Sequence, residues 1–264
     1  MLREAVEQIK NNSLITYSGM QLNRAPMAAL YEIIRQHKKK LNIVSIPNPL
    51  AADLLIGVGC VKNAKLGFNG FSYEDGFVIS PNWRKAAEQR KIELYETDIF
   101  EILQGLKASS LGLKEIEVPG FKNTGYIKIN NCKETKNGIM TKAIKPEFAL
   151  IHAQVADKKG NVFIEDPLIE NLLVKASKNI IVTVEKIAKI KNITIPKEKI
   201  TSISVVEGGA LPTACFKFYD YHLNHIREYI KYAKEDNFKF YLDKFVFGTK
   251  DHNEFVKKIK IKNE

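Results

Sequence analysis

Two short constellations combine residue types able to do chemistry. The first is His152 and Gln154, which flank Ala153 within the run Phe-Ala-Leu-Ile-His-Ala-Gln-Val-Ala at 148–156. Residues two apart on a strand share a face, so a strand here presents an imidazole and an amide together. Such a pair can line a pocket, polarise a carbonyl or contact a partner chain; the alternative is a buried histidine satisfied by its neighbours. The second is Ser18-Gly19-Met20, with Arg24 and Pro26 close behind. Glycine lets a backbone approach a ligand closely, and a guanidinium grips a carboxylate at two points. An exposed residue at a helix start is the other reading of Arg24. His222 and His225 stand one helical turn apart without a third ligand, so no metal is expected and a surface or interchain contact is.

The elements that must position these residues alternate along the chain. Four apolar residues run unbroken into His152, which suits a strand covered on both faces, as in a parallel sheet. Asp157, Gly160 and Asn161 then turn the chain, and function collects where such strands end. Further strands are expected at Leu14–Tyr17, Ile43–Ile46, Leu54–Val61, Ile180–Val184 and Ile203–Val206. Helical spacing appears after Pro26, through Met27, Leu30, Ile33 and Ile34, and after Asp98, an N-cap candidate, through Ile99, Ile102, Leu103 and Leu106. The pattern is α/β, with a mostly parallel sheet between helices. About 119–146 reads as an irregular excursion with a hairpin, given its Gly and Asn content and the alternation of Tyr126–Ile129. From about 222 the chain reads as helical, with Phe238–Phe247 covering its own core or a partner.

Composition bounds the rest. With 264 residues, 45% of them hydrophobic, the chain can bury a large core, and 1–264 reads as one domain. Cys60, Cys132 and Cys215 lack metal spacing and read as reduced, buried thiols. No apolar run reaches the roughly 20 residues of a membrane span, and the opening residues are too charged for a signal peptide, so a cytoplasmic protein is expected. The net charge of +11 spreads over scattered lysines, clustered only at 38–40 and 257–262. No nucleic-acid-binding pattern accompanies them, so neither nucleic acid nor membrane is expected as a partner.

Four blocks then match one family in order. Ser18, Gly19, Met20, Arg24 and Pro26 stand where it has a Gly-Gly-Phe loop followed by Arg-x-Pro. Leu54–Lys62 resembles its Gly-x-Gly-x-Val-Lys block, His152–Asn161 its His-Ala-Gln segment, and Gly208–Tyr221 its Gly-Ala-x-Pro and Tyr-Asp-Tyr segment. The chain resembles the alpha subunit of family I coenzyme A transferases, most closely the glutaconate CoA-transferase type.

This resemblance implies a three-layer α/β subunit that pairs with a beta subunit, as two alpha and two beta chains. It further implies exchange of CoA between an acyl-CoA and a carboxylate, dicarboxylic or 3-oxo, through a glutamyl-CoA intermediate on the partner. Coenzyme A is then a co-substrate and no separate cofactor is expected. Carboxylate attack on a thioester needs fixed donors at the developing oxyanion, and the Ser18-Gly19-Met20 turn is expected to offer backbone N–H groups there. Ser18, Gly19, Met20, Arg24, His152 and Gln154 are the expected substrate-binding residues. Serine and methionine depart from the family's Gly and Phe, which puts the substrate's identity in doubt. Glu74, in Glu-Asp-Gly, reads as a plain turn. Glu96 opens a block resembling a sister group, the steroid ring-cleaving acyl-CoA hydrolases, in which a carboxylate could orient water. A CoA-dependent hydrolase using Glu96 is therefore an alternative, a helix-start acid the plain reading of Glu96, and a noncatalytic basic binding protein a third possibility.

Overall fold

Residues 1–260 are described by a computed structural model of the chain; Lys262, in the expected basic run at 257–262, lies outside them. Helix α1 (Leu2–Glu7) leads into strand β1 (Leu14–Tyr17), followed by α2 (Met27–Arg35), β2 (Leu41–Ser45), α3 (Pro49–Gly57) and β3 (Val61–Leu66). A hairpin of β4 (Gly70–Tyr73) and β5 (Gly76–Ile79) precedes α4 (Pro81–Glu88), the two-residue β6 (Glu93–Leu94) and α5 (Ile99–Ser110). Next come β7 (Glu115–Pro119), α6 (Gly125–Asn130), β8 (Lys133–Glu134) and β9 (Gly138–Lys142). Strands β10 (Phe148–Ala156) and β11 (Val162–Phe163), helix α7 (Glu170–Ala176), and strands β12 (Asn179–Ile187) and β13 (Ser202–Val205) follow. The described chain closes with α8 (Leu223–Lys234), α9 (Phe238–Leu242), a π turn (Asp243–Phe247) and α10 (His252–Lys260).

The main sheet runs β13-β12-β10-β1-β2-β3-β6, all parallel, and β11 pairs antiparallel with β10. Alternate residues of β10 feed two cores: Phe148 and Leu150 face the helices α2, α3 and α8, whereas Ala149, Ile151 and Ala153 face α5 and α7. The result is the expected three layers, with the sheet between two sets of helices. After β1 the chain steps outward through β2, β3 and β6; from β10 it steps the other way. The crevice beyond the carboxyl ends of β1 and β10 is therefore the switch point, where open α/β sheets place ligands.

Three expectations change. Leu54–Val61 is not a strand: Pro49 starts α3, which is apolar except for Asp53 and buried from Pro49 to Ile56, and the strand begins only at Val61. An unbroken apolar run does not distinguish a buried helix from a buried strand. Within the excursion, Tyr126–Ile129 forms a turn of α6, while β7, β9 and β8 make a separate antiparallel sheet. His225 is not a surface contact either: it is buried with Nε2 2.9 Å from the Tyr241 hydroxyl, while His222, half-buried, accepts from the His225 N–H at the start of α8.

The C-terminal helices cover the chain's own α2: the rings of Tyr31 and Phe255 lie 4.7 Å apart, and the Tyr31 and Tyr241 hydroxyls 3.2 Å apart. Cys60 and Cys215 are buried, with thiols pushed up to about 12 by that burial, whereas Cys132 is partly exposed. Among the described residues no helix is long and apolar enough to cross a membrane.

Candidate active site

The turn after β1 follows the carboxyl end of that strand, at the switch point. Gly19 has φ +90°, and a Cβ there would stand 2.6 Å from the Asn23 carbonyl oxygen, so only glycine fits. Gln21 and Arg24 also hold left-handed backbone, at φ +54° and +52°. Such geometry persists only where surroundings over-determine it. Here the N–H groups of Ser18, Met20 and Gln21 donate to Leu150, Asn23 and Pro47, and Arg24 N–H donates to Ala214. Gly19 carries the one backbone N–H between Ser18 and Gln21 with no acceptor among the described residues.

Ser18 and Met20 part company. Ser18 is buried, its hydroxyl accepting from the His152 N–H at 3.3 Å and its carbonyl from Asn48 Nδ2 at 3.0 Å. Met20 is 43% exposed, and Phe216, whose carbonyl lies 3.5 Å from Gln154 Nε2, is 52% exposed.

Arg24 is neither exposed nor free for a substrate. Fully buried, it donates to the His152 carbonyl at 3.1 Å and the Asp166 carbonyl at 2.9 Å. Its charge meets the Asp166 carboxylate at 3.0 Å and Glu170 at 2.8 Å. The substrate-binding role expected of Arg24 is thus replaced by an internal ion-pair cluster, since a buried guanidinium requires fixed counter-charges. Gln154, also buried, donates to Asp166 at 2.8 Å and accepts from the Glu165 N–H at 3.2 Å, so it braces the same cluster instead of lining an open pocket.

His152 takes the buried-histidine reading. Nδ1 lies 2.8 Å from the Thr183 hydroxyl and Nε2 2.7 Å from Glu185 Oε1, with the imidazole sealed from solvent. Burial lowers its pKa, and the Arg24 charge acts in the same direction, against the raising pull of Glu185. The lowered pKa favours the neutral ring, and the two partners fit a tautomer that donates from Nε2 to Glu185 and accepts at Nδ1 from the Thr183 O–H. Burial works to raise Glu185, but bonds from His152, the Tyr219 hydroxyl at 2.5 Å and the Gly208 N–H at 2.7 Å outweigh it and hold the carboxyl low. Cys215 brings a third ligand type within 4.8 Å of His152 and Glu185. Both ring nitrogens and both carboxylate oxygens already have partners, however, so the trio is a hydrogen-bonded net and not a set of open ligands.

Glu96 is exposed, and among the described residues its carbonyl accepts from the Tyr126 hydroxyl at 3.4 Å while its carboxylate has no hydrogen-bond or ion-pair partner. No described residue bonds or pairs with that carboxylate to orient it for water activation, so the structure lends the hydrolytic role expected of Glu96 no support. The inward carboxylate of that segment is Glu101, in the first turn of α5. It accepts from Lys65 at 2.8 Å, Thr97 and Thr141 at 2.7 Å, and Tyr126 at 2.5 Å. Burial would raise it, but the bonds from Lys65, Tyr126 and Thr141 hold it low. Sequence reasoning gave no role to Glu101, Asp166, Glu170, Glu185 or Tyr219. Two of them carried a usable signal: Tyr219 opens the Tyr-Asp-Tyr segment of the resemblance, and Glu185 continues directly from the strand candidate Ile180–Val184.

Comparison with known proteins agrees with this architecture. The Coenzyme A transferase family matches residues 1–207. The chain is 29% identical to the alpha-type chain of the 3-oxoadipate CoA-transferase of Pseudomonas knackmussii, covering 98% of this chain and 96% of that one. It is 26% identical to the corresponding chain of the glutaconate CoA-transferase of Acidaminococcus fermentans, covering 98% and 90%. Among solved structures, a variant of the decarboxylase AibA/AibB superposes with a TM-score of 0.87 at 31% identity, covering 92% and 95%. A parallel sheet with its switch point between β1 and β10, the glycine turn that closes it, and a family match over most of its length together make this chain a member of the coenzyme A transferase family.

Proposed function

We propose that this chain is the alpha subunit of an enzyme that moves coenzyme A between an acyl-CoA and a carboxylate. A beta subunit completes the site and supplies the nucleophilic glutamate that carries CoA as a glutamyl thioester. One observation carries the division of labour. Among the described residues, the carboxylates around the crevice are spent internally: Asp166 and Glu170 on Arg24, Glu185 on His152, Tyr219 and Gly208, and Glu165 on Lys217. A carboxylate so engaged is a poor nucleophile, so the attacking group comes from elsewhere.

What this chain contributes is the turn after β1. The uncommitted Gly19 N–H is a preorganised donor for an oxyanion. Ser18, His152, Gln154 and Arg24 hold the turn in place from behind and do not touch substrate. Coenzyme A enters as co-substrate, the acceptor is a dicarboxylic or 3-oxo acid, the assembly is two alpha and two beta chains, and the setting is cytoplasmic.

The test is thioester exchange from a CoA donor to a panel of carboxylates, with this chain alone and with its co-purified partner, and mass spectrometry for a glutamyl-CoA adduct. Exchange only in the pair, with the adduct on the partner, is the expected result. The 31% identity to a decarboxylase structure supports a second reading, acyl-CoA decarboxylation in the same crevice. Carbon dioxide release without exchange or adduct would select it.

A further inference from the structure

Asn48 stands at the N-cap of α3, between the end of β2 and Pro49. A capping asparagine ordinarily turns its side-chain oxygen onto an N–H of the first helical turn. Asn48 makes no such bond. Its Nδ2 donates instead to the Ser18 carbonyl at 3.0 Å, and Oδ1, on a residue 1% exposed, has no partner among the described residues. A buried acceptor left unmatched costs stability, so neither capping nor core satisfaction accounts for this orientation. Swapping the amide would not relieve it, because Oδ1 would then face the Ser18 oxygen.

What the orientation does fix is a peptide plane. The Ser18 carbonyl and the Gly19 N–H belong to one planar, trans peptide unit, so the oxygen and the hydrogen point to opposite sides of the chain. Among the described residues Asn48 is the one donor that reaches the Ser18 oxygen, and the Gly19 N–H has no acceptor. The Asn48 bond is thus the one tether on this unit. The preceding residue adds a brace next door, with the Gln21 N–H donating to the Pro47 carbonyl at 2.7 Å. Gly19, at φ +90°, has no side chain to limit rotation, so the unit can turn about its flanking bonds once the tether is lost.

We propose that Asn48 is a positioning residue for the reaction: it holds the Ser18–Gly19 peptide so that the Gly19 N–H meets the developing oxyanion. The inference rests on the reading of Gly19 as the oxyanion donor, and goes further by assigning the aim of that donor to a side chain on the β2–α3 connection.

Kinetics of the partnered enzyme and the direction of one bond test it. Asn48→Ala should lower kcat for thioester exchange on the order of tenfold with KM for the carboxylate unchanged, because the donor remains but is no longer aimed. Asn48→Asp keeps the shape and puts an oxygen in place of the donor. Ionised, it repels the Ser18 carbonyl; protonated, it donates to it, and burial favours the protonated form. Its kcat relative to the parent should therefore climb as pH falls, a rescue that mere filling of space does not give. In the full chain carrying isotope-labelled glycine, the residual dipolar coupling of the Gly19 N–H reads the direction of that bond and should change in Asn48→Ala. An unchanged coupling, a parent-like kcat, a loss carried by KM, or a pH profile of Asn48→Asp parallel to the parent's would each overturn the proposal. If the parent pair exchanges no thioester, the transferase reading fails by itself, and the coupling still decides whether Asn48 aims the Gly19 N–H. Exchange in the parent with an unchanged coupling removes Asn48 alone.

Discussion

His152 Nε2 lies 2.7 Å from Glu185 Oε1, and both side chains are closed to solvent. Through this contact β10 is tied to β12, and through the remaining bonds of Glu185 to the Gly208 turn and Tyr219. Replacing Glu185 by Gln keeps the size but turns an acceptor-only group into one that also presents an N–H₂ to three donors. We expect Glu185→Gln to lose about 1–3 kcal/mol in urea unfolding, the cost of leaving buried polar groups unmatched.

Arg24 gives a sharper contrast between binding and structure. Arg24→Ala leaves Asp166 and Glu170 without their cation, and breaking a buried pair in this way costs about 3–5 kcal/mol. Arg24→Lys should recover only part of that, because an ammonium cannot reproduce the fork to two carbonyls and two carboxylates. Denaturant midpoints measure the loss. A normal midpoint with a raised KM for the carboxylate would restore the substrate-binding role.

At Gly19, an added methyl group meets the Asn23 and Arg24 backbone at 2.6 and 2.7 Å in a left-handed conformation. Gly19→Ala in the partnered enzyme should reduce kcat roughly a hundredfold, the scale of losing one oxyanion donor, with far-UV circular dichroism unchanged. Parent-like turnover in that variant would remove the turn from the mechanism.

Acid sensitivity should trace to His252. Buried and 2.7 Å from the Gly208 carbonyl, it has a pKa lowered from 6.5 to about 4, chiefly by burial. Its folded value lies below its unfolded one, so its contribution is fully present above pH 6.5 and is lost as pH falls through about 4. Asp53 has the opposite sign. Burial raises it from 3.8 to about 6 despite bonds from Tyr229, Trp83 and Asn82, so its contribution is present below 3.8 and is lost as pH rises through 6. His252→Gln should flatten the decline in stability between pH 6.5 and 4, and Asp53→Asn should steepen the net decline over its lower part. Thermal melts across that range check both.

Tyr126 is the latch between the excursion and the main body, because α6 buries no residue and its Tyr126 hydroxyl reaches Glu101. Tyr126→Phe should speed amide exchange across residues 121–137 by about tenfold without moving the global unfolding midpoint, consistent with local opening of a weakly packed segment.

The central frame was legible because apolar runs and caps act locally: β1, β2, β10, β12, β13 and the Asp98 cap of α5 lie where the sequence places them. Failures came where one pattern serves two structures, as in the apolar second half of α3, or where a short alternation fits one helical turn, as in α6. The glycine turn was legible because glycine's backbone freedom is written in its identity. The burial of Arg24 was not, since Asp166 and Glu170 reach it across more than 140 positions of chain and nothing near Arg24 announces them. Glu101 was hidden for the same reason: its donors come from β3, the start of α5, α6 and β9.

The position of β1 also bears on how the protein is made. Its inner neighbour is β10, with Ile15 opposite Phe148, so 133 residues separate the two central strands. Until residue 156 has left the ribosome, β1 is an unpaired edge of a half sheet whose other strands are already present. Such an edge is a template for association with another chain. Nascent fragments ending before β10 should therefore bind chaperones or aggregate, and release from both should coincide with synthesis of Phe148–Ala156.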